Sequence, residues 1–425
     1  MLKLWFWIYN LFLLPLVWLG FRFLSLFNSK IREGFKGRKG LFEEISNWKF
    51  EKGKPVVIIH SSSLGEYQQA IPLITELNLR GYGIAATFFS PSGFKNSKIH
   101  SADVKKCYLP FDSYPRVKHF VDTVNPYMVI LMRYDLWFNF LYYSRQKNVK
   151  IIMANARYDE KDIFWKIPVI NSFKKSMYRM IDKMFTIDDA DFDNYRKLLK
   201  GTPVQILKAG DSKFERVFEA SKNFKKEEIL GKKITAGKKV FVVGSSWKDD
   251  EEVILPVIDK MSDKGYNILT VLVPHEPKET KISAIEKNIK NKYPGLSTIR
   301  YSQIAGYSGQ NVIIIDSIGL LMKLYSEAYT AYIGGGFRTG LHNVLEPAVF
   351  NIPVFFANDV KNSDEDELLL ENKCGILVKN MKQFYREFKL VLTNEGYYNT
   401  AANGCKSVFR NTLGTTEKII KNITQ

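Results

Sequence analysis

The feature that most limits the fold is an alternation that begins after residue 50 and runs almost to the end of the chain. Short, near-continuous apolar runs are each followed by a longer segment with helical spacing. "PVVIIH" (55–60), "GIAATFF" (83–89), "YMVILM" (127–132), "KIIMANA" (150–156) and "KMFTID" (183–188) form one series. "KVFVVGSS" (239–246), "YNILTVLVP" (266–274), "NVIIID" (311–316), "AYTAYIGGG" (328–336), "IPVFFA" (352–357) and "GILV" (375–378) form a second. Runs without polar alternation are strands buried on both faces, the situation of a parallel sheet covered by helices. A chain of 425 residues exceeds what one hydrophobic core usually serves. The expectation is an α/β protein with two successive doubly wound domains and a cleft between them. Ligands in such sheets bind beyond the carboxyl ends of the strands. The charged stretch "ASKNFKKEEILGKKITAGKK" (220–239) reads as a helix plus an interdomain connection.

The N-terminus departs from this pattern. "LWFWIYNLFLLPLVWLGF" (4–21) has Asn10 as its only strongly polar residue. Its length is about the minimum for spanning a bilayer, and Pro15 predicts a kink. No small-residue cleavage site follows, so the segment reads as an uncleaved anchor, with a buried core helix as the alternative. Arg22, Lys30, Arg32, Lys36, Arg38 and Lys39 come next; such residues stay cytoplasmic and attract anionic headgroups. The net charge of +18 favours an anionic partner. The basic residues are spread out, and no RNA-binding signature or base-reading basic helix is present. That argues against nucleic acid, and anchoring accounts for part of the charge. Cys107, Cys374 and Cys405 lie far apart, and His60, His100, His119, His275 and His342 form no ligand cluster in sequence. Neither a disulfide framework nor a zinc site is indicated, and a reducing, cytoplasmic environment fits.

The strand ends carry the candidate chemistry. The first strand ends in "HSSSLGE" (60–66), where Ser63 and Glu66 have the spacing of a capping box. Glu66 is either tied to that cap or aimed to take a proton from an attacking hydroxyl. Gly65 leaves room for a ligand. "GSSW" (244–247) brings Ser245 and Ser246 to a helix start that suits a phosphate, although the acidic run "DDEE" (249–252) complements the helix dipole on its own. "VPHEP" (273–277) presents His275 in a rigid turn, and "IIIDSIG" (313–319) presents Asp316 and Ser317. In "YIGGGFRTGLHNVLEPAVFNIPVFF" (332–356), Gly334, Gly335 and Gly336 would let backbone approach a ligand, and Asn343 and Glu346 sit where a helix begins with Pro347. A carboxylate there can accept from two ribose hydroxyls. The glycine spacing matches neither the dinucleotide fingerprint nor a P-loop. "DDADFDN" (188–194) reads as a helix start rather than a metal site, and "DEDE" (364–367) as a solvated charge run.

Taken together, these segments resemble the 3-deoxy-D-manno-octulosonic acid (Kdo) transferases of lipopolysaccharide synthesis, over nearly the whole chain. "SSSLGEYQQAIPLI" (61–74) is similar to the family's S-V-G-E segment, and "GGGFRTGLHNVLEPA" to its G-G-S…G-H-N-x-L-E-P signature; "YLPFD" (108–112) and "NAR" (155–157) also match. The resemblance implies a GT-B fold of two Rossmann-like domains facing across a cleft. It implies an anchor at 1–30, an acceptor domain at 31–225, a nucleotide-sugar domain at 226–395, and a tail at 396–425 that packs back on the first domain. It implies inverting transfer of Kdo from CMP-Kdo to the 6′-hydroxyl of a lipid A precursor, lipid IVA, at the cytoplasmic face of the bacterial inner membrane. Glu66 would be the general base, and no metal or other cofactor is expected. Ser63, Gly65, Arg133 and Asp135 would serve the acceptor or transition state. Ser245, Ser246, His275, Asp316, Ser317, Gly334 to Gly336, His342, Asn343 and Glu346 would hold CMP. The expected partners are CMP-Kdo, the lipid precursor and the anionic membrane surface; no oligomeric state is implied. The family's E-T-E-L-W-P-N appears here as "MRYDLWFN" (132–139), which leaves Arg133 and Asp135 as candidates for its second carboxylate role. P-R-H-P appears as "PHEP", S-T-H as "SSW", and the Glu of D-T-x-G-E is Leu320. Two alternatives are another GT-B transferase using a UDP-sugar, and a tethered nucleotide-sugar-binding protein without catalysis.

Overall fold

The computed structural model describes residues 2–99, 101–159, 162–222, 228–360 and 365–424. His100, Asp364 and the expected domain boundary at 225–226 lie outside the described residues. The chain forms two compact units: Met1–Arg216 with Thr412–Gln425, and Val217–Asn411.

The first unit is built on seven parallel strands: β1 (Val56–Ser61), β2 (Gly83–Phe88), β3 (Val104–Tyr108), β4 (Met128–Met132), β5 (Lys150–Ala156), β6 (Lys183–Thr186) and β7 (Gln205–Lys208). Their order is β3-β2-β1-β4-β5-β6-β7. Every residue of β1, β2 and β4 is buried. Alternate residues serve opposite faces, as the two-residue period of a strand requires. Ile58, Ala85, Val129 and Leu131 join one core with the helices Tyr114–Val124 and Phe138–Gln146. Val57, Ile59, Ile84 and Ile130 join the other with the helix Leu64–Leu79. Ile419, Ile420 and Ile423 of the last helix, Thr415–Ile423, complete that second core. Glu215 fastens this helix at its start, accepting from Gly414 N–H at 2.7 Å and Thr416 N–H at 2.9 Å.

The second unit repeats the plan: β8 (Lys239–Ser246), β9 (Ile268–Pro274), β10 (Thr298–Arg300), β11 (Val312–Ile314), β12 (Thr330–Ile333), β13 (Val354–Phe356) and β14 (Gly375–Leu377). The order is β10-β11-β9-β8-β12-β13-β14, again all parallel. Strand order therefore reverses between β1 and β4 in one unit and between β8 and β12 in the other. In sheets of this kind ligands bind beyond the carboxyl ends of the strands at such switch points. Three strands were not anticipated from the sequence, namely β3, β7 and β10, and all three lie at sheet edges. The charge run at 364–367 is not wholly solvated: Asp366 is buried in the helix Glu365–Glu371.

Helix runs from Leu2 to Phe27 without interruption and is long and apolar enough to cross a membrane. Pro15 does not break it. A π-helical turn at Tyr9–Leu13 precedes it, and Pro15 then falls in the first turn of the segment Leu14–Phe27, where its missing N–H matters least. Only 6% of the most apolar window is buried, so this is no core helix over most of its length. Its start, however, is docked on the first unit. Tyr9 OH donates to Asp112 Oδ2 at 2.9 Å, and Trp5 and Tyr9 pack on Phe173 at ring separations of 5.2 and 5.7 Å. Asn10 and Asn139 exchange amide hydrogen bonds of 2.9 and 2.8 Å. Asp112 in turn accepts the backbone N–H groups of Asn139 and Phe140, so one buried carboxylate joins the N-terminal helix to the helix after β4.

Tyr9→Phe keeps the ring and removes one donor from buried Asp112. The expected loss is about 1–3 kcal/mol of unfolding free energy, read from denaturant unfolding in detergent.

Candidate functional site

At the β1/β4 switch point, Ser63 caps the helix Leu64–Leu79 by accepting Glu66 N–H at 3.3 Å. The Glu66 carboxylate turns back one residue further than a capping box requires. It accepts Ser62 N–H at 2.6 Å and the Ser62 hydroxyl at 2.9 and 3.0 Å. Ser62 N–H therefore fixes Oε2, while Oε1 receives only a share of the Ser62 hydroxyl. Glu66 is 8% exposed. Burial is the main cause that raises its pKa above the ordinary carboxylate value, with Asp135 adding to it and Ser62 and His60 opposing it. Gly65 has open space on its side-chain direction, with Ser63 Oγ the nearest atom at 3.9 Å. The fold itself does not demand glycine there.

His60, the penultimate residue of β1, is fully buried. Its Nδ1 lies 2.9 Å from Thr87 Oγ1 on β2, and its Nε2 lies 2.9 Å from Asp135 Oδ2. Trp137 Nε1 donates to the same oxygen at 3.2 Å. Of the two candidates after β4, Asp135 is therefore the one brought to the side of Glu66. Arg133 has left-handed backbone, φ +62°, and its Nε donates to Gln69 Oε1 at 3.0 Å. The sequence reading assigned His60 no role. The available signal was a lone polar residue ending the apolar run "PVVIIH".

The β8/β12 switch point gathers most of the second set. Asp250 ties three elements together: it accepts Trp247 N–H and Gly335 N–H at 2.9 Å each on Oδ2, and Tyr332 OH at 2.8 Å on Oδ1. The acidic helix start is thus engaged internally. The Ser246 hydroxyl is buried and donates to Glu251 Oε1 at 2.9 Å, so it is not free to meet a phosphate. Ser245 has left-handed backbone, φ +53°. The three glycines answer to packing. A Cβ on Gly334 would stand 2.3 Å from Ser245 O, one on Gly335 2.3 Å from Gly340 O, and one on Gly336 1.7 Å from Ala357 O. Close approach of backbone is real here, but the partner is the protein's own chain.

Beside them, Trp247, His275 and His342 form a ring cluster, with His275 stacked on Trp247 at 4.6 Å and on His342 at 4.5 Å. Trp247 Nε1 donates to His342 Nε2 at 3.3 Å, which places the His342 proton on Nδ1. Burial lowers the pKa of both histidines, which favours the neutral ring. Asn343 accepts Leu345 N–H at 3.2 Å and donates to Glu346 Oε1 at 3.1 Å. Asp316 is occupied elsewhere, accepting Ser302 N–H at 3.1 Å and its hydroxyl at 2.5 Å; Ser317 is exposed. The Asp-rich stretch is a helix start: Asp188 caps Asp189–Leu198, and buried Asp191 accepts Tyr158 N–H at 2.6 Å. Among the described residues, no group of three or more His, Cys, Asp or Glu is placed to hold a metal ion.

Solved structures with the same plan include a UDP-N-acetylglucosamine 2-epimerase (TM-score 0.57, 12% identity, 88% of this chain and 97% of that one). A glycosyltransferase from Rickettsia africae ESF-5 is another (TM-score 0.55, 12% identity, 87% and 96%). The fold is accordingly α/β of the GT-B class. Residues 33–216 match the family described as 3-deoxy-D-manno-octulosonic-acid transferase (kdotransferase). Over 381 residues the chain is 26% identical to a bifunctional glycosyltransferase/methyltransferase of Fusobacterium nucleatum, covering 87% of this chain and 57% of that protein. It is 27% identical over 330 residues to the 3-deoxy-D-manno-octulosonic acid transferase of Haemophilus influenzae, covering 76% and 75%. The corresponding transferase of Rickettsia felis is 26% identical over 349 residues, covering 80% and 72%. Residues 33–216 thus carry a Kdo-transferase family domain, and the chain is similar to Kdo transferases over most of its length.

Two outcomes test this geometry. Gly336→Ala forces a Cβ into the Ala357 carbonyl and should destabilise the protein by about 1–3 kcal/mol, read by denaturant unfolding. Burial raises Glu251 from 4.5 to about 7. A folded-state value above the unfolded one stabilises fully below pH 4.5 and is lost as pH rises through about 7. Glu251→Gln should therefore gain relative to wild type across that window, by roughly 3 kcal/mol at most, measured as the difference between their stability–pH curves.

Proposed function

We propose that this chain is a membrane-anchored glycosyltransferase that moves Kdo from CMP-Kdo to the 6′-hydroxyl of a lipid A precursor, lipid IVA, at the cytoplasmic face of the inner membrane. The likeness to the Kdo transferases supports the donor and the acceptor class. The observation that carries the chemistry is Glu66: a buried carboxylate at a topological switch point, fixed on one oxygen and raised in basicity by burial and by Asp135.

In this reading the acceptor hydroxyl donates to Glu66 Oε1. As the proton passes to Glu66, the hydroxyl oxygen attacks the anomeric carbon of Kdo from the face opposite CMP. The bond from that carbon to the phosphate oxygen breaks, CMP leaves with the electron pair, and the configuration inverts. Glu66 ends protonated, a state that its burial favours. His60 holds Asp135 beside it, and Gly65 keeps the approach open. The donor is assigned to the second unit. His342 Nδ1–H and Ser245 are the groups offered to its phosphate, and Glu346, oriented by Asn343, is offered to its ribose. Ser246 donates to Glu251 and Asp316 accepts from Ser302, and neither is used in this scheme. No metal enters the scheme.

The test is Kdo transfer from CMP-Kdo, generated in situ, to a tetraacylated lipid A precursor in detergent, with wild type beside Glu66→Gln. A folded, CMP-binding variant should lose about 10²- to 10⁴-fold in kcat. Near-normal turnover by that variant would leave Glu66 a helix cap and nothing more.

A further inference from the structure

A cavity of about 900 Å³ opens in the first unit between the N-terminal helix and the segments that follow it, at the upper end of the range typical of small-molecule sites. Leu14, Val17, Trp18 and Phe21 of the N-terminal helix form an apolar wall, and Phe111 and Trp137 stand among the other lining residues. Six basic and two acidic side chains line it. One of the acids, Asp112, is buried and accepts from Tyr9, Asn139 and Phe140. One of the bases, Arg38, is buried and donates to three backbone carbonyls. The remaining five bases, Arg22, Arg32, Lys36, Lys39 and Arg116, are exposed at the rim, and among the described residues none is ion-paired with a carboxylate. The other acid, Glu43, is exposed beside them, so the rim carries a net positive charge rather than a purely cationic one. An apolar chamber under a net cationic rim is complementary to an acyl chain joined to a phosphate.

A second observation ties this chamber to the site. Trp137 lines it, and the indole N–H of the same residue donates to Asp135, the carboxylate that His60 holds beside Glu66. The chamber is therefore linked through one side chain to Asp135.

We propose that the cavity receives an acyl chain of the phosphate-bearing lipid acceptor, with the basic rim taking the phosphate. The N-terminal helix is then a wall of the acceptor site as well as an anchor. This deepens the proposed function and rests on it.

Ser25 lines the cavity, and Ser25→Trp places a bulky ring in it that narrows the space for an acyl chain; Arg116→Ala removes one rim charge. Both variants and wild type are assayed with the tetraacylated, bisphosphorylated disaccharide and with the same disaccharide stripped of its acyl chains. The expected result for Ser25→Trp is about a tenfold fall in the preference for the acylated acceptor, expressed as the ratio of the two KM values. Arg116→Ala should raise KM for both bisphosphorylated acceptors by a similar factor. An unaltered preference in folded Ser25→Trp, with wild type active, overturns the proposal. If wild type transfers no Kdo at all, the functional reading fails on its own. Retention of the radiolabelled acylated disaccharide by full-length wild type and Ser25→Trp, measured by gel filtration in detergent, then decides the cavity. Weaker retention by the variant sustains it, and equal retention overturns it.

Discussion

Burial of both faces of each parallel sheet is the constraint on which the rest of this molecule depends. Where β1, β2 and β4 are closed to water on both sides, no residue along them can meet a ligand. Polar chemistry is displaced to the carboxyl ends, and the reversal of strand order determines which ends stand apart. Glu66 and Asp135 follow β1 and β4; Ser245 lies at the end of β8, and the glycine loop and His342 follow β12. The exception proves informative. His60 and Thr87 are polar and fully buried within strands, a state that is unfavourable unless their hydrogen bonds are made. They bond each other, and His60 then requires Asp135. The packing demand of the sheet thus reaches the position of the carboxylate beside Glu66.

The same constraint explains what was legible in the sequence. Eleven strands stood out because interior strands are unbroken apolar runs. The strands that did not, "VKKCY", "QILK" and "TIR", lie at sheet edges, where one flank is open and lysine or arginine is tolerated. Their apolar residues are too few and too interrupted to register as a buried run. The end-of-strand loops were legible as places of interest, but not their internal bonding. Nothing in "GSSW" announces that Ser246 will face Glu251, and nothing in "IIIDSIG" announces that Asp316 will hold Ser302, since both partners depend on tertiary placement. Asp366 shows the same limit from the other side, an acid in a charged run that the fold encloses.

Glycine is where sequence and structure diverge most usefully. The triplet Gly334 to Gly336 and Gly65 both looked like room for a ligand. The distances separate them. A side chain at Gly336 would enter the Ala357 carbonyl, so the triplet is required by the way β12 ends against its neighbours, whatever is bound there. A side chain at Gly65 would meet almost nothing of the protein. Similarly, capping and catalysis at Glu66 were framed as rivals, yet Ser62 N–H engages only Oε2, and Oε1 shares the Ser62 hydroxyl.

The N-terminal helix carries this logic outward. A tether alone would need no contact with the body it holds, and its polar residues would be disadvantages in hydrocarbon. Here Tyr9 and Asn10 are bonded to Asp112 and Asn139, while Leu16, Leu19 and Phe23 farther along stand exposed. Apolar surface of that extent requires a cover, and lipid is the one its composition fits. The helix is therefore fixed at one end to the element that follows β4, the strand whose loop carries Asp135. The docked end reaches the helix after β4 twice, through buried Asp112, which accepts from Tyr9 and from the N–H groups of Asn139 and Phe140, and through the Asn10–Asn139 amide pair.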